Sequence, residues 1–237
     1  MARKFFIRHI DPTQLLEHIS SSDYSTEIEL GKYVTNECSI IFFDLVNFTN
    51  ISWSTPNELI FSILNSLFSK VTEEIYRVGG MIDKFPGDGV VCFIPRQYTL
   101  DKNEIVDNAV DCAARVMRWF YNDYRDKIQL SKPSHSLELC VGIDAGNIAI
   151  AHVGTRLHSE LILLGDQVNC AAKCQQVAEK KEIIIGQEAV DKFYYKNLYS
   201  NYLSTGPDTG VVYTTNNEHY LSKRFDWEKF SEDSTWL

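Results

Sequence analysis

Residues 38–45, CSIIFFDL, form a short apolar run that closes on a carboxylate. Such a run reads as a buried strand ending at Asp44. A carboxylate placed directly after Ile40, Ile41, Phe42 and Phe43 must find a counter-charge, a cap or water, because burying it alone is costly.

A helix is marked next. Thr55, Pro56 and Glu58 stand where an N-cap, a first helical residue and a capping-box acid belong. Ile60, Ile63, Leu64, Leu67, Val71 and Ile75 make an apolar stripe, and Gly79 supplies the stop. In GGMIDKFPGDGVVCF, residues 79–93, two alternating runs flank a Gly-Asp-Gly turn, which reads as a hairpin with Asp88 at its tip and Lys84 on its first arm. The periodicity then predicts a helix over about 102–128, strands at 137–146, 147–154 and 160–165, a helix from about Gln167 to Lys180, and a strand at 182–186. A short helix is expected near residues 12–20. Strands, hairpins and helices in this order predict an α+β fold, a mostly antiparallel sheet with helices on one face. Beyond residue 205 the chain alternates weakly at VVYTT and ends in a charged segment containing Trp.

Composition limits the function classes. An apolar fraction of 44% suits a soluble globular protein with a sizeable core. No window approaches the run of about 18 apolar residues needed to span a membrane. The stretch MARKFFIRHIDPTQ meets charge before any signal-type apolar region forms, so a soluble, unsecreted, cytoplasmic protein with no membrane partner is expected. The six cysteines lack a CxxC pair or a partnered His spacing and read as reduced core residues. A net charge of −9 argues against broad nucleic-acid binding while leaving room for a local cationic pocket for one polyphosphate.

Asp44 and Asp88 lie side by side if the hairpin pairs with the first strand. Two adjacent carboxylates repel, and a hard divalent cation relieves the repulsion while keeping positions open for phosphate oxygens. Two ions about 3.5–4 Å apart can activate an attacking hydroxyl and stabilise a leaving phosphate oxygen. LVNFT, residues 45–49, follows Asp44 at a strand-to-helix junction, where exposed backbone N–H groups can take a triphosphate. GDQVNCAAK, residues 165–173, sets Asn169 and Lys173 one turn apart on one helix face, a spacing equally served by an ordinary surface pair.

In this order FFDLVNF, KFPGDG, VGIDAG and LLGDQVNCAAK resemble the successive signatures of the class III nucleotidyl cyclase catalytic domain over about residues 36–190. The resemblance implies a ferredoxin-like βααββαβ domain that forms a head-to-tail homodimer with active sites at the interface. It makes residues 1–35 an N-terminal helical extension and residues 191–237 the completion of the domain and a tail. It implies that Asp44 and Asp88, with the backbone at Leu45, hold two divalent cations, Mn²⁺ or Mg²⁺. It places Phe43, Leu45, Val46, Asn47, Phe48 and Thr49 around the substrate, Lys84 on the base, and Asn169 of the other protomer on the ribose. Lys173 falls where the family usually carries Arg toward the α-phosphate, and Arg156 is a candidate to assist it. His152 and His158, near the same loop, read as structural or surface residues. The implied reaction is in-line attack of the ribose 3′-oxygen on the α-phosphorus with release of pyrophosphate.

The base code departs from both purine types. Ile162 stands where adenylate cyclases of the family usually place Asp or Thr, and it cannot hydrogen-bond a base edge. A buried base edge left unpaired costs about 1–3 kcal/mol. Lys84 only donates, which suits a carbonyl acceptor and not guanine's donors. Uracil offers two such carbonyls, and the chain is similar to the pyrimidine cyclases of bacterial Pycsar antiphage systems. That similarity implies UTP as substrate and cyclic UMP as product, read by a separate cyclic-nucleotide-binding effector. The alternatives are a CTP or ATP cyclase of the same fold, or a silent cyclase-like domain that binds nucleotides.

Overall fold

The computed structural model describes residues 28–97, 99, 103–130, 136–212 and 218–234. The helix expected at residues 12–20 lies outside the described residues, as does most of the N-terminal extension. In chain order the elements that build the fold are β1 (Tyr33–Leu45), α1 (Phe48–Ser52), α2 (Asn57–Arg77), β2 (Met81–Lys84), β3 (Val90–Pro95), α3 (Ile105–Arg118) and β4 (Leu139–Gly154). Then follow β5 (Ser159–Leu164), α4 (Asp166–Val177), β6 (Ile183–Gly186), α5 (Gln187–Asp191), α6 (Lys196–Tyr199), β7 (Leu203–Thr205), β8 (Ser222–Phe225) and α7 (Trp227–Asp233). The first seven reproduce the expected βααββαβ order, and the class is α+β.

The strands form one sheet in the order β2-β3-β1-β4-β6-β8-β7, with β5 paired to β4. All neighbours are antiparallel except β4 and β6. The two strands expected at 137–146 and 147–154 are a single one, β4. It stays continuous because β1 pairs along it from Tyr33↔Ala151 to Leu45↔Leu139. Its other edge changes partner, β6 pairing Val141–Ile143 and β5 pairing Ala149–Gly154.

Alternation along β1 sorts the two faces. Ile41, Phe43 and Leu45 join the main core with Ile63, Leu67, Val71 and Ile75 of α2 and with the apolar residues of α3. Ile40 and Cys38 point the other way, into a smaller cluster with Phe93, Ile148, Ile150 and Ala171 of α4. The main helical layer thus covers one face, and α4 lies on the opposite one. Met81 of β2 and Leu161 and Leu163 of β5 pack onto the smaller cluster, and β2 and β5 come into contact although they are not neighbours in the sheet.

Polar ties hold the layers. Buried Glu74 of α2 meets Lys70 at 2.7 Å and Arg115 of α3 at 3.4 Å. Asp107 of α3 accepts from the backbone N–H groups of Tyr194 and Tyr195, and Asp111 accepts from the Tyr199 hydroxyl. The C-terminal segment is built into the sheet: β8 lies between β6 and β7, and Trp227 and Phe230 of α7 are buried. The α2 start differs from the expected capping box. Pro56 occupies the N-cap, and the Thr55 hydroxyl turns back to the Ile51 carbonyl at 2.7 Å because α1 ends just ahead of it. All six cysteines are buried free thiols, and burial pushes Cys38 up to about 12 and Cys140 to about 11. Among the described residues no helix is long and apolar enough to cross a membrane.

Candidate active site

β1 ends where the β2–β3 hairpin turns. Phe43 pairs with Val90, so Asp44 comes opposite Gly89, the neighbour of Asp88. The turn is tight: Gly87 sits at φ +67° and the Gly89 N–H donates to the Pro86 carbonyl. A Cβ on Gly89 would stand 2.8 Å from the Phe43 carbonyl oxygen and 3.2 Å from Asp44 Oδ1, so only glycine lets the turn come this close. Phe85 fastens the hairpin by stacking on Phe68 of α2, with ring centroids 4.5 Å apart.

Burial first and the Asp88 charge second push the Asp44 carboxyl up to about 6, and a hydrogen bond from Gln175 works in the other direction. That bond runs from Gln175 Nε2 to Asp44 Oδ2 at 3.0 Å. Gln175 was not legible as a site residue, since it lies two positions past the end of the LLGDQVNCAAK signature. It reaches Asp44 because α4 lies almost on β4 at Gly142, where a Cβ would stand 2.2 Å from the Gln175 backbone nitrogen.

After Asp44 the chain leaves the strand through Val46 and Asn47, which takes left-handed φ +57°, before α1 begins at Phe48. The Val46 N–H is already spent on the Glu138 carbonyl at 2.9 Å, which removes it from the expected phosphate-binding set. The Phe48 and Thr49 amides lie in the first turn of α1, where the helix itself supplies no acceptor. The side chains of Phe43, Leu45 and Phe48 are core, so these positions can face a substrate only through backbone.

Lys84 ends β2, half exposed, after a register shift between Ile82 and Lys84, and its Nζ lies 3.4 Å from Asp83 Oδ2. Burial raises the Asp83 carboxyl, Lys84 opposes this, and Glu160 of β5 adds to the rise. Ile162 pairs with Ala151, and because Leu161 and Leu163 pack into the smaller cluster, it projects from the other side of β5. Asn169 and Lys173 are exposed on α4, with Lys173 Nζ donating to Gln176 Oε1 at 2.9 Å. They lie on a different face of the helix from Gln175, so one chain does not gather them at its own Asp44.

Arg156 is exposed at the β4–β5 turn. His152 is tied to the Ile28 carbonyl at 2.7 Å and the Ser159 hydroxyl at 2.9 Å. In the VGIDAG signature Asp144 is fully buried, accepting from the N–H groups of Ala145 and Ala189 and from the Tyr220 hydroxyl at 2.6 Å. It holds β4, the start of α5 and the C-terminal segment together.

The Asp44 and Asp88 pair fits a hard divalent cation. The two carboxylates repel, which an added dication would reverse. Among the described residues no group of three or more His, Cys, Asp or Glu converges on a metal position. Two carboxylates are a set suited to Mg²⁺ or Mn²⁺ completed by water or other oxygen ligands.

Residues 31–206 match the family described as "Adenylate and Guanylate cyclase catalytic domain". The chain is 30% identical over 154 residues to "Adenylate cyclase, terminal-differentiation specific" of Dictyostelium discoideum, the match covering 65% of this chain and 7% of that much longer protein. Among solved structures it resembles the adenylyl cyclase CyaB from P. aeruginosa, at TM-score 0.65 and 21% identity over 82% of this chain and 95% of that one. It also resembles the guanylyl cyclase Cya2, at TM-score 0.66 and 19% identity over 81% of this chain and 92% of that one. At these identities the structural likeness speaks for the fold.

Proposed function

Because this chain belongs to the adenylate and guanylate cyclase catalytic domain family, we propose that it is a nucleotidyl cyclase that closes the ribose 3′-oxygen of a nucleoside triphosphate onto its own α-phosphorus and releases pyrophosphate. The observation that carries this reading is Asp44 brought against the Asp88 turn by the β1–β3 register. Two divalent cations held there, by Asp44, Asp88 and the backbone at Leu45, would lower the pKa of the attacking hydroxyl and neutralise charge on the leaving pyrophosphate.

The chain's own residues do the positioning. The amides of Phe48 and Thr49 hold phosphate oxygens. Lys84 donates to the base. Asn169 and Lys173, pointing away from their own Asp44, serve the site of a second copy in a head-to-tail homodimer. Catalysis then rests on alignment and charge neutralisation.

For the base we propose a pyrimidine, UTP foremost, with cyclic UMP acting on a separate effector in antiphage defence. Lys84 is a donor to a carbonyl, and Ile162 offers an amine no acceptor. A second reading, ATP or CTP, is favoured by the acids beside Lys84, since Asp83 and Glu160 can accept from an exocyclic amine. Incubating the chain with each of the four ribonucleoside triphosphates and Mn²⁺ or Mg²⁺, with products resolved by mass, separates these readings. Cyclic UMP as the main product supports the first reading, cyclic AMP or cyclic CMP the second, and no cyclic product removes both.

A further inference from the structure

The contact between Gln175 and Asp44 joins two elements far apart in sequence, and it is built rather than incidental. The side chain of Gln175 donates to Asp44 Oδ2 at 3.0 Å and lies 3.6 Å from Cys140 Sγ. Its backbone is fixed where α4 presses on Gly142, with the Ala171 carbonyl oxygen 2.4 Å and the Gln175 nitrogen 2.2 Å from the place of a Cβ. The other oxygen, Oδ1, faces Gly89 in the hairpin turn. With one oxygen tied to α4, rotation about χ2 is restrained and the second oxygen stays turned toward Gly89, the neighbour of Asp88.

We infer that Gln175 is a positioning residue for metal binding, holding the Asp44 carboxylate so that Oδ1 is presented to a divalent cation beside Asp88. This rests on the proposed metal role of Asp44. An amide suits the task because it donates a hydrogen bond to the carboxylate without bringing charge. A cationic side chain here would compete with the divalent cation for the two acids, and a carboxylate would add to their repulsion. Partners that orient a metal ligand from outside the coordination sphere typically change metal affinity or activity by about 10–100-fold.

The test uses Mn²⁺ alone as the probe, with free Mn²⁺ followed by electron paramagnetic resonance on the full chain without nucleotide. Gln175→Met keeps length and volume but cannot donate. Gln175→Asn keeps the amide but is one methylene too short to reach Asp44. Both should bind Mn²⁺ about 10-fold more weakly than the unaltered chain, with melting temperatures reported alongside to establish that they fold. Wild-type Mn²⁺ affinity in either folded variant, while Asp44→Asn abolishes binding, overturns the role of Gln175 and leaves the metal role of Asp44 standing. Unchanged Mn²⁺ binding in Asp44→Asn overturns both.

Discussion

Asp44, next to last in β1, lies opposite Gly89, so the register of β1 and β3 sets its carboxylate beside the turn that carries Asp88. Burial first, and the Asp88 charge second, make the Asp44 carboxylate harder to hold. A protein folded only for stability gains nothing from this pairing.

The first prediction concerns that cost. Asp44→Ala and Asp88→Ala should each abolish cyclic-nucleotide formation while the fold is retained, because among the described residues neither carboxylate has a cationic partner that its loss would strand. Unchanged far-ultraviolet circular dichroism, with product below detection, is the expected result.

Metal binding should register as stability. A ligand that binds only the folded state stabilises it by about 2.7 kcal/mol at 100 times its dissociation constant. Mn²⁺ should therefore raise the melting temperature of the unaltered chain and leave that of Asp44→Ala in place, and chelation should reverse the rise.

Gly142→Ala tests how α4 reaches the site. The new methyl would meet backbone atoms of Ala171 and Gln175, which cannot turn aside as a side chain would. A loss of about 1–3 kcal/mol in denaturant unfolding is expected from overpacking of this kind. Activity should fall further than that loss explains, because the helix shift takes Gln175 from Asp44.

Asp144 gives a pH prediction with a definite sign. Burial raises its carboxyl to about 6, against the opposing hydrogen bonds from Tyr220, Ala145 and Ala189. The unfolded chain holds that proton only up to about 3.9. The folded state therefore binds the proton more tightly, so this group's contribution is fully present below about pH 4 and declines as pH rises through about 6. Asp144→Asn should remove that slope from unfolding free energies measured between those values. Asp144→Ala leaves the donors without an acceptor and should cost at least about 2 kcal/mol.

Much of this was legible along the chain because the signals are local. CSIIFFDL announced a buried strand, the stripe from Ile60 to Ile75 a helix, and Gly-Asp-Gly a turn, since each depends on neighbours within a few residues. The misreadings arose where tertiary contacts decide. The pattern divides 137–146 from 147–154 into two strands, but β1 pairs straight past Gly146 and Asn147. Thr55 looked like a cap, but the preceding helix offered its hydroxyl the Ile51 carbonyl. Val46 looked available to phosphate, but the carbonyl of Glu138, just ahead of β4, takes its amide. Gln175 carried no signal, because its meaning comes from Gly142 and Asp44 on other strands. The charged Trp-containing segment could not be assigned for the same reason, as β8 and α7 take their place only against β6 and α3.

The most direct measurement follows UTP by phosphorus nuclear magnetic resonance, with and without Mn²⁺, in the unaltered chain and in Asp44→Ala. The account predicts cyclic UMP and pyrophosphate in equal amounts, only with Mn²⁺ and only in the unaltered chain. Equal turnover by Asp44→Ala, or no cyclic UMP from UTP in the unaltered chain with Mn²⁺, would contradict it.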